Sequence, residues 1–298
     1  MILFRQQAFA RVPGRIGWKE GLFRRSGCEK MSSRAKNKHA LEISNLTVKR
    51  SGTTVIEDAN LTIPNGDFVG LIGPNGGGKT SLLLTILGIL KPLNGEVLVF
   101  GNKPGSRANL GRIGWVPQAA SEIPDHIHIT VRELVNLGTL NHRNYFRMMT
   151  SREKKVVTEA IHLVGLDEYE NQDVSKLSGG QLQRAVIARA LASNADFLIL
   201  DEPMVGIDRE SKNSLLRLLD GLCHHYNKTI LMVSHDISAI SQTTHTAIYL
   251  DGVVLFQGPS VTMPDLSEIA KMRGIENPHP PGKIIVPERS LSSQKEGS

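Results

Sequence analysis

Short apolar runs alternate along this chain with longer stretches in which apolar residues recur at helical spacing. Four runs carry no polar face: Phe68–Ile72, Ile113–Val116, Phe197–Leu200 and Thr229–Val233. Uninterrupted apolar runs of four or five residues suit strands buried on both sides, as in a parallel sheet covered by helices. Thr80–Leu90, with leucine and isoleucine on all sides, suits a buried helix. Two capping boxes, Thr130-Val-Arg-Glu133 and Thr150-Ser-Arg-Glu153, predict helix starts. The second opens a helix that places Val157, Ala160, Ile161 and Val164 on one face. No apolar run approaches the roughly 18 residues that a bilayer span needs.

Chemistry enters at the boundary between the first apolar run and the helix after it. Residues 73–80 read Gly-Pro-Asn-Gly-Gly-Gly-Lys-Thr. This is the phosphate-binding pattern G-x-x-x-x-G-K-[ST], whose glycines let the backbone curl with its N–H groups turned inward. Those amides and the following helix N-terminus suit the β- and γ-phosphates. Lys79 adds a positive charge and Thr80 a hydroxyl for Mg²⁺. A second apolar run, Phe197–Leu200, ends in Asp201-Glu202-Pro203. A carboxylate there can hold Mg²⁺, which is Asp201's expected task, and Glu202 then stands as general base for an attacking water.

Further marks follow in order. Gln118 comes after Ile113–Val116, and Leu177-Ser-Gly-Gly-Gln181 lies about a hundred positions beyond the phosphate loop. Gly206-Ile207-Asp208 follows the acidic pair, and Ser234-His235-Asp236 follows Thr229–Val233. With this set, from about Leu41 to Gly258, the chain resembles the nucleotide-binding subunit of an ATP-binding cassette (ABC) transporter. The resemblance implies an α/β fold: a P-loop NTPase core, a small antiparallel β subdomain over about 41–66, and a helical insert over about 120–180 carrying the LSGGQ signature. It implies ATP and Mg²⁺ as cofactors. Gly73, Pro74, Asn75, Gly76, Gly77, Gly78, Lys79, Thr80 and Ser81 match the Walker A loop and its helix. Thr80, Asp201 and Gln118 match the metal-side groups, Glu202 the catalytic glutamate, and His235 the switch histidine. Lys79, Gln118, Glu202 and His235 are thus the expected catalytic set. Ser178, Gly179, Gly180 and Gln181 match the signature that caps ATP on an opposite subunit, with a helix opening from Gln181 onward. Asp208 matches the D-loop aspartate at a dimer interface. One position departs from the family pattern: Arg50 stands where an aromatic residue stacks on adenine. A guanidinium can stack on a base as well; the other reading is an exposed hairpin-tip arginine.

Ile123–Gly138, Ile113-Gly-Trp-Val-Pro-Gln118 and Met204–Asp208 are similar to the zinc/manganese-type import ATPases. That implies a subunit powering import of a divalent metal ion through a separate integral-membrane permease, served by an extracytoplasmic metal-binding protein. It would work as a homodimer, since only one set of motifs is present, peripheral on the cytoplasmic face of the membrane. The alternative is a soluble non-transport ABC ATPase acting on a macromolecular assembly. Against it, the chain lacks a second cassette and a long heptad repeat. His126-Ile-His128 and Cys223-His224-His225 invite a metal site. Two histidines alternating in an extended segment more often share a solvated face, and adjacent residues rarely converge on one ion.

Charge and cysteine usage change little in this picture. The chain of 298 residues has a net charge of +6 and a pI of about 9.3. Ten Lys/Arg against two Glu in residues 1–40 account for that excess, and the remainder is slightly acidic. The pI therefore describes a basic extension and not a nucleic-acid-binding domain. This extension reads as a disordered arm, a transit-like presequence, or sequence upstream of an initiation at Met31. Cys28 and Cys223 lie far apart with no CxxC pair, which fits a reducing compartment. Residues 41–265 are expected to form the ATPase domain and 266–298, with Asn277-Pro-His-Pro-Pro-Gly282, an extended tail.

Overall fold

A computed structural model describes residues 38–118, 128–140, 149–265, 268–269 and 271. Residues 1–37 of the basic extension, with Cys28, and likewise His126 and most of the tail lie outside the described residues. The chain divides into two compact units, Met1–Met263 and Pro264–Ser298. In the second, Asp265 Oδ1 accepts from the Glu268 N–H at 2.8 Å. The first carries everything else below.

It holds two sheets. A three-stranded antiparallel sheet has the order β2 (Thr53–Pro64), β1 (His39–Arg50), β4 (Asn94–Val99). Register pairs Leu41 with both Ile63 and Val99, so the central strand is held on both edges. The small sheet is thus not confined to about 41–66, because its third strand arrives some thirty residues later. A six-stranded sheet has the order β5 (Ile113–Val116), β6 (Phe197–Asp201), β7 (Thr229–Val233), β3 (Phe68–Ile72), β8 (Thr246–Asp251), β9 (Val253–Pro259). Its first five strands run parallel and β9 closes the edge antiparallel to β8. β3 and β7 are buried at every position. Each is flanked by strands on both edges, which is why their sequences need no polar alternation.

Helix α1 (Lys79–Ile86) lies where the two sheets share one core. Leu82, Leu83 and Ile86 join Leu41, Ile43 and Ile63 of the small sheet and Phe197, Leu231 and Ile248 of the large one. Each such side chain contributes about 1.5–3 kcal/mol on burial, so the phosphate loop sits on a stiff support. The helix stops at Ile86 and does not reach Leu90: Gly88 takes φ +76°, and the Gly88 N–H turns back to the Thr85 carbonyl. Ile89 is left exposed.

Among the described residues, the α-helices between β5 and β6 are α2 (Val131–Asn136), α3 (Ser151–Leu163) and α4 (Gly179–Ala192). Both expected capping boxes are formed, Thr130 with Glu133 and Thr150 with Glu153. Val157, Ala160 and Ile161 of α3 are buried as their spacing demands, and Val164 just beyond it is buried too. After β6 come α5 (Arg209–Tyr226) and, after β7, α6 (Ile237–Thr243). Among the described residues no helix is long and apolar enough to cross a membrane.

Candidate functional site

The parallel strands bring their C-terminal ends to one edge, and the chemistry of the chain gathers there, as in other open α/β sheets. β3 leads into the loop 73–78, whose last residue, Gly78, precedes α1 with φ +93°. A Cβ at Gly78 would sit 2.6 Å from the Val55 carbonyl oxygen, so this close, left-handed turn admits glycine alone. The loop is pinned from behind: the Gly252 N–H donates to the Gly77 carbonyl at 3.0 Å. Lys79 is buried, and its Nζ donates to the carbonyls of Gly73 and Pro74, each at 2.8 Å. Burial lowers its pKa, while the charges of Glu202, Asp201 and Asp251 oppose that shift.

β6 delivers Asp201 and Glu202 to the same edge. Glu202 takes φ +53°, rare for a residue with a side chain, and its N–H donates to the Val233 carbonyl at 3.1 Å. A backbone held in this region is typical of functional turns. Burial pushes both carboxyls above their ordinary range. The Lys79 and His235 charges oppose the shift at Asp201; His235 and then Lys79 oppose it at Glu202. His235, in the turn between β7 and α6, places Nε2 2.7 Å from Glu202 Oε1. Asp236 beside it caps α6 by accepting from the Ala239 N–H at 2.9 Å.

These groups line one groove of about 260 Å³ with Asn75, Gly76, Gly78, Thr80, Ser81, Gln118, Arg50 and Val55. The loop, Lys79, the acidic pair, Gln118 and His235 are therefore brought together as expected. The Thr80 hydroxyl, Asp201 and the Gln118 amide are hard oxygen donors facing one space, a donor set that fits Mg²⁺. Arg50, exposed at the end of β1 and paired with Thr53, sits on the wall of that groove. Val55, the valine from which the Arg50 position is counted in the family pattern, lines the groove too. One neighbour escapes a sequence reading: Asp251 at the end of β8, whose charge acts on Lys79 although its Asp-Gly turn carries no motif.

The remaining expected residues do not line the groove. Ser178 caps α4, accepting from the Gln181 N–H at 3.3 Å, while Gln181 Oε1 accepts from the Ser178 N–H at 2.9 Å. The helix opens at Gly179 and not from Gln181 onward, because the capping box puts Gln181 in the third helical position. Gly179 and Gly180 pack on the segment Gly206–Ser211: a Cβ at Gly180 would meet Ser211 Oγ at 2.6 Å. Asp208 caps α5, accepting from the Ser211 N–H at 2.9 Å. Residues 178–181 and 206–211 thus pack on each other, and none of them lines the groove.

The family model for ABC transporters matches residues 56–205. The chain belongs to the ABC transporter family. Among curated relatives of this cassette, the zinc uptake system ATP-binding protein ZurA of Listeria innocua is 34% identical over 218 residues, covering 73% of this chain and 85% of that one. The zinc uptake ATP-binding protein ZnuC of Bacillus subtilis is 34% identical over 201 residues, 67% of this chain and 86% of that protein. Among solved structures, a dimeric post-hydrolysis state of the cassette MJ0796 bound to ADP and Pi superposes with a TM-score of 0.61. That structure has 30% identity and covers 74% of this chain and 98% of its own. The cassette accordingly binds and hydrolyses ATP as the motor subunit of a transporter.

Two histidine segments stand apart from the cassette's chemistry. His128 is exposed, and its Nδ1 lies 3.2 Å from Asp173 Oδ2, a solvated contact. His224, in contrast, does have company, though not from its sequence neighbours.

Proposed function

We propose that this cassette powers import of a divalent metal ion, zinc or manganese, through a separate membrane permease supplied by an extracytoplasmic binding protein. It acts as a homodimer, peripheral on the cytoplasmic face, with residues 41–265 as the working ATPase domain. The observation that carries the reading is the split of the motifs. One groove holds the phosphate loop, acidic pair, Gln118 and His235, while Ser178 and its glycines pack with the Asp208 segment and do not line that groove. Two copies facing each other complete two sites. The zinc uptake names of the relatives support the choice of cargo.

In this mechanism the glycine amides and Lys79 hold the β- and γ-phosphates. Thr80, Asp201 and Gln118 would hold Mg²⁺, which would neutralise developing phosphate charge. Glu202 takes the proton of the attacking water; its raised pKa brings it nearer to that task. His235, in contact with Glu202, orients the carboxylate and reaches toward the γ-phosphate. The partner's signature closes the site with a helix N-terminus and a hydroxyl. Closure draws the helical inserts together and turns the permease; hydrolysis resets it.

The test is co-purification of the Glu202→Gln variant with ATP from detergent-solubilised native membranes, followed by zinc and manganese uptake assays. Recovery of a multi-helix permease and loss of uptake in the Glu202→Gln strain is the expected result. Recovery of ribosomal or DNA-bound partners in its place would overturn the transport reading.

A further inference from the structure

A cluster of four titratable side chains lies at the opposite edge of the large sheet from the nucleotide groove. Asp67 stands at the entry of β3, His245 at the entry of β8, and Asp220 and His224 on the last turns of α5. His245 Nδ1 is 3.0 Å from Asp67 Oδ1, and its Nε2 is 3.7 Å from Asp220 Oδ1. His224 Nδ1 is 3.2 Å from that same Asp220 oxygen. The two imidazole rings stand edge to face with centroids 5.1 Å apart. One ligand atom each from Asp220, His224 and His245 falls within 4.8 Å of the others.

We propose that Asp220, His224 and His245 form a divalent-cation site of the zinc class, separate from the nucleotide centre, with Asp67 as its outer partner. The site does not depend on the transport reading above. Its spacing suits the ion: tetrahedral bonds of about 2.0–2.1 Å place ligands roughly 3.4 Å apart, and the observed 3.2 and 3.7 Å bracket that value. Asp220 and His224 are four apart on a helix and so share a face. Asp67 accepts the Nδ1 proton of His245, which leaves Nε2 directed at Asp220. The Phe68 N–H also lies near Nδ1, at 3.3 Å, but the carboxylate is closer. A carboxylate behind a histidine is the usual outer arrangement of zinc ligands. Asp67 is itself fixed by the Thr246 hydroxyl at 2.8 Å.

The donor set selects the ion. Two imidazole nitrogens and one carboxylate suit Zn²⁺ or Co²⁺, whereas Mg²⁺ prefers oxygen alone. His245 donates to Asp220 and Asp67, and these bonds push its imidazole up to about 9, so an ion at Nε2 takes the place of a proton there. Cys223 does not join: its Sγ is not among the ligand atoms that fall together here. On binding, His224 gives up a 3.0 Å contact between Nδ1 and the Asp220 carbonyl. His162 with Asp167, at 2.8 Å, offers a comparison, a histidine–carboxylate pair with no third ligand among the described residues. An ion at the cluster would tie together the far ends of β3, α5 and β8, whose near ends carry the phosphate loop, Asp208 and Asp251.

The experiment titrates Zn²⁺ into the chelator-treated, nucleotide-free full chain by calorimetry, with Zn²⁺-dependent melting temperature as a second readout. The wild type and His162→Ala should share a site that His224→Ala and His245→Gln weaken at least tenfold. Zn²⁺ should raise the melting temperature of the wild type and not that of His224→Ala, whose exposed side chain is not needed for folding. Histidines outside the described residues add the same background to every variant. Equal stoichiometry and affinity in the wild type and His224→Ala, or an equal loss in His162→Ala, would overturn the site.

Discussion

Glu202 joins a rare backbone conformation, a buried carboxyl and a histidine partner in one residue. Replacing it with glutamine should leave ATP binding intact and reduce turnover by about 10²–10⁴-fold, the range that general-base catalysis contributes. A steady-state rate unchanged in Glu202→Gln would remove it as the base. Its titration carries two signs. Turnover needs the ionised carboxylate, so with Glu202 raised above 4.5 the acid limb of the pH–rate profile should lie above that of an ordinary glutamate. For stability, a carboxyl with a raised folded pKa contributes fully below its unfolded value, and the contribution is lost as pH rises through the folded one. At neutral pH the charge is a cost. Glu202→Gln should therefore stabilise the nucleotide-free chain by on the order of 1 kcal/mol, read as a higher melting temperature. Arg50 is tested at the same scale. If its guanidinium stacks on adenine, Arg50→Ala should weaken ATP affinity about two- to five-fold, matching 0.5–1 kcal/mol for an exposed cation–π contact, with the saturated rate unchanged. Unaltered affinity leaves Arg50 as a hairpin-tip residue.

At the scale of elements, the join between α4 and α5 is the informative contact. Gly180 has no room for a side chain against Ser211, so Gly180→Ala should push the signature away from the D-loop. The expected result is normal ATP binding by the isolated chain with turnover reduced at least tenfold; unchanged turnover would show that this packing is incidental. A milder change, Thr150→Ala, removes the capping box of α3 and should cost about 1 kcal/mol of stability, measured by thermal or denaturant unfolding. What could be read from the sequence divides along the same line. The phosphate loop, the Asp201-Glu202 pair and both threonine capping boxes are legible because their chemistry lies in consecutive residues. The end of α1 at Ile86 required weighing Gly88 against a leucine-rich run that continues to Leu90. The pairing of Leu41 with Val99 was not legible, since a strand's second neighbour is chosen by tertiary packing. The same holds for Asp67, Asp220 and His245, which meet only because a parallel sheet aligns the starts of β3 and β8 beside the end of α5.

At the scale of the whole molecule, the groove residues and the Ser178–Asp208 packing are separate sets, which the proposed homodimer would bring together across its interface. In that proposal association controls the motor: ATP bound in one groove is the surface that the partner's signature recognises. The measurement that tests this most directly is the mass of Glu202→Gln in solution with saturating ATP and Mg²⁺, by sedimentation or light scattering. The account predicts a dimer that dissociates when nucleotide is removed. It also predicts that adding Ser178→Arg leaves ATP binding intact and the chain monomeric. A monomer with ATP bound in Glu202→Gln, while the wild-type chain turns ATP over as a monomer, would contradict it.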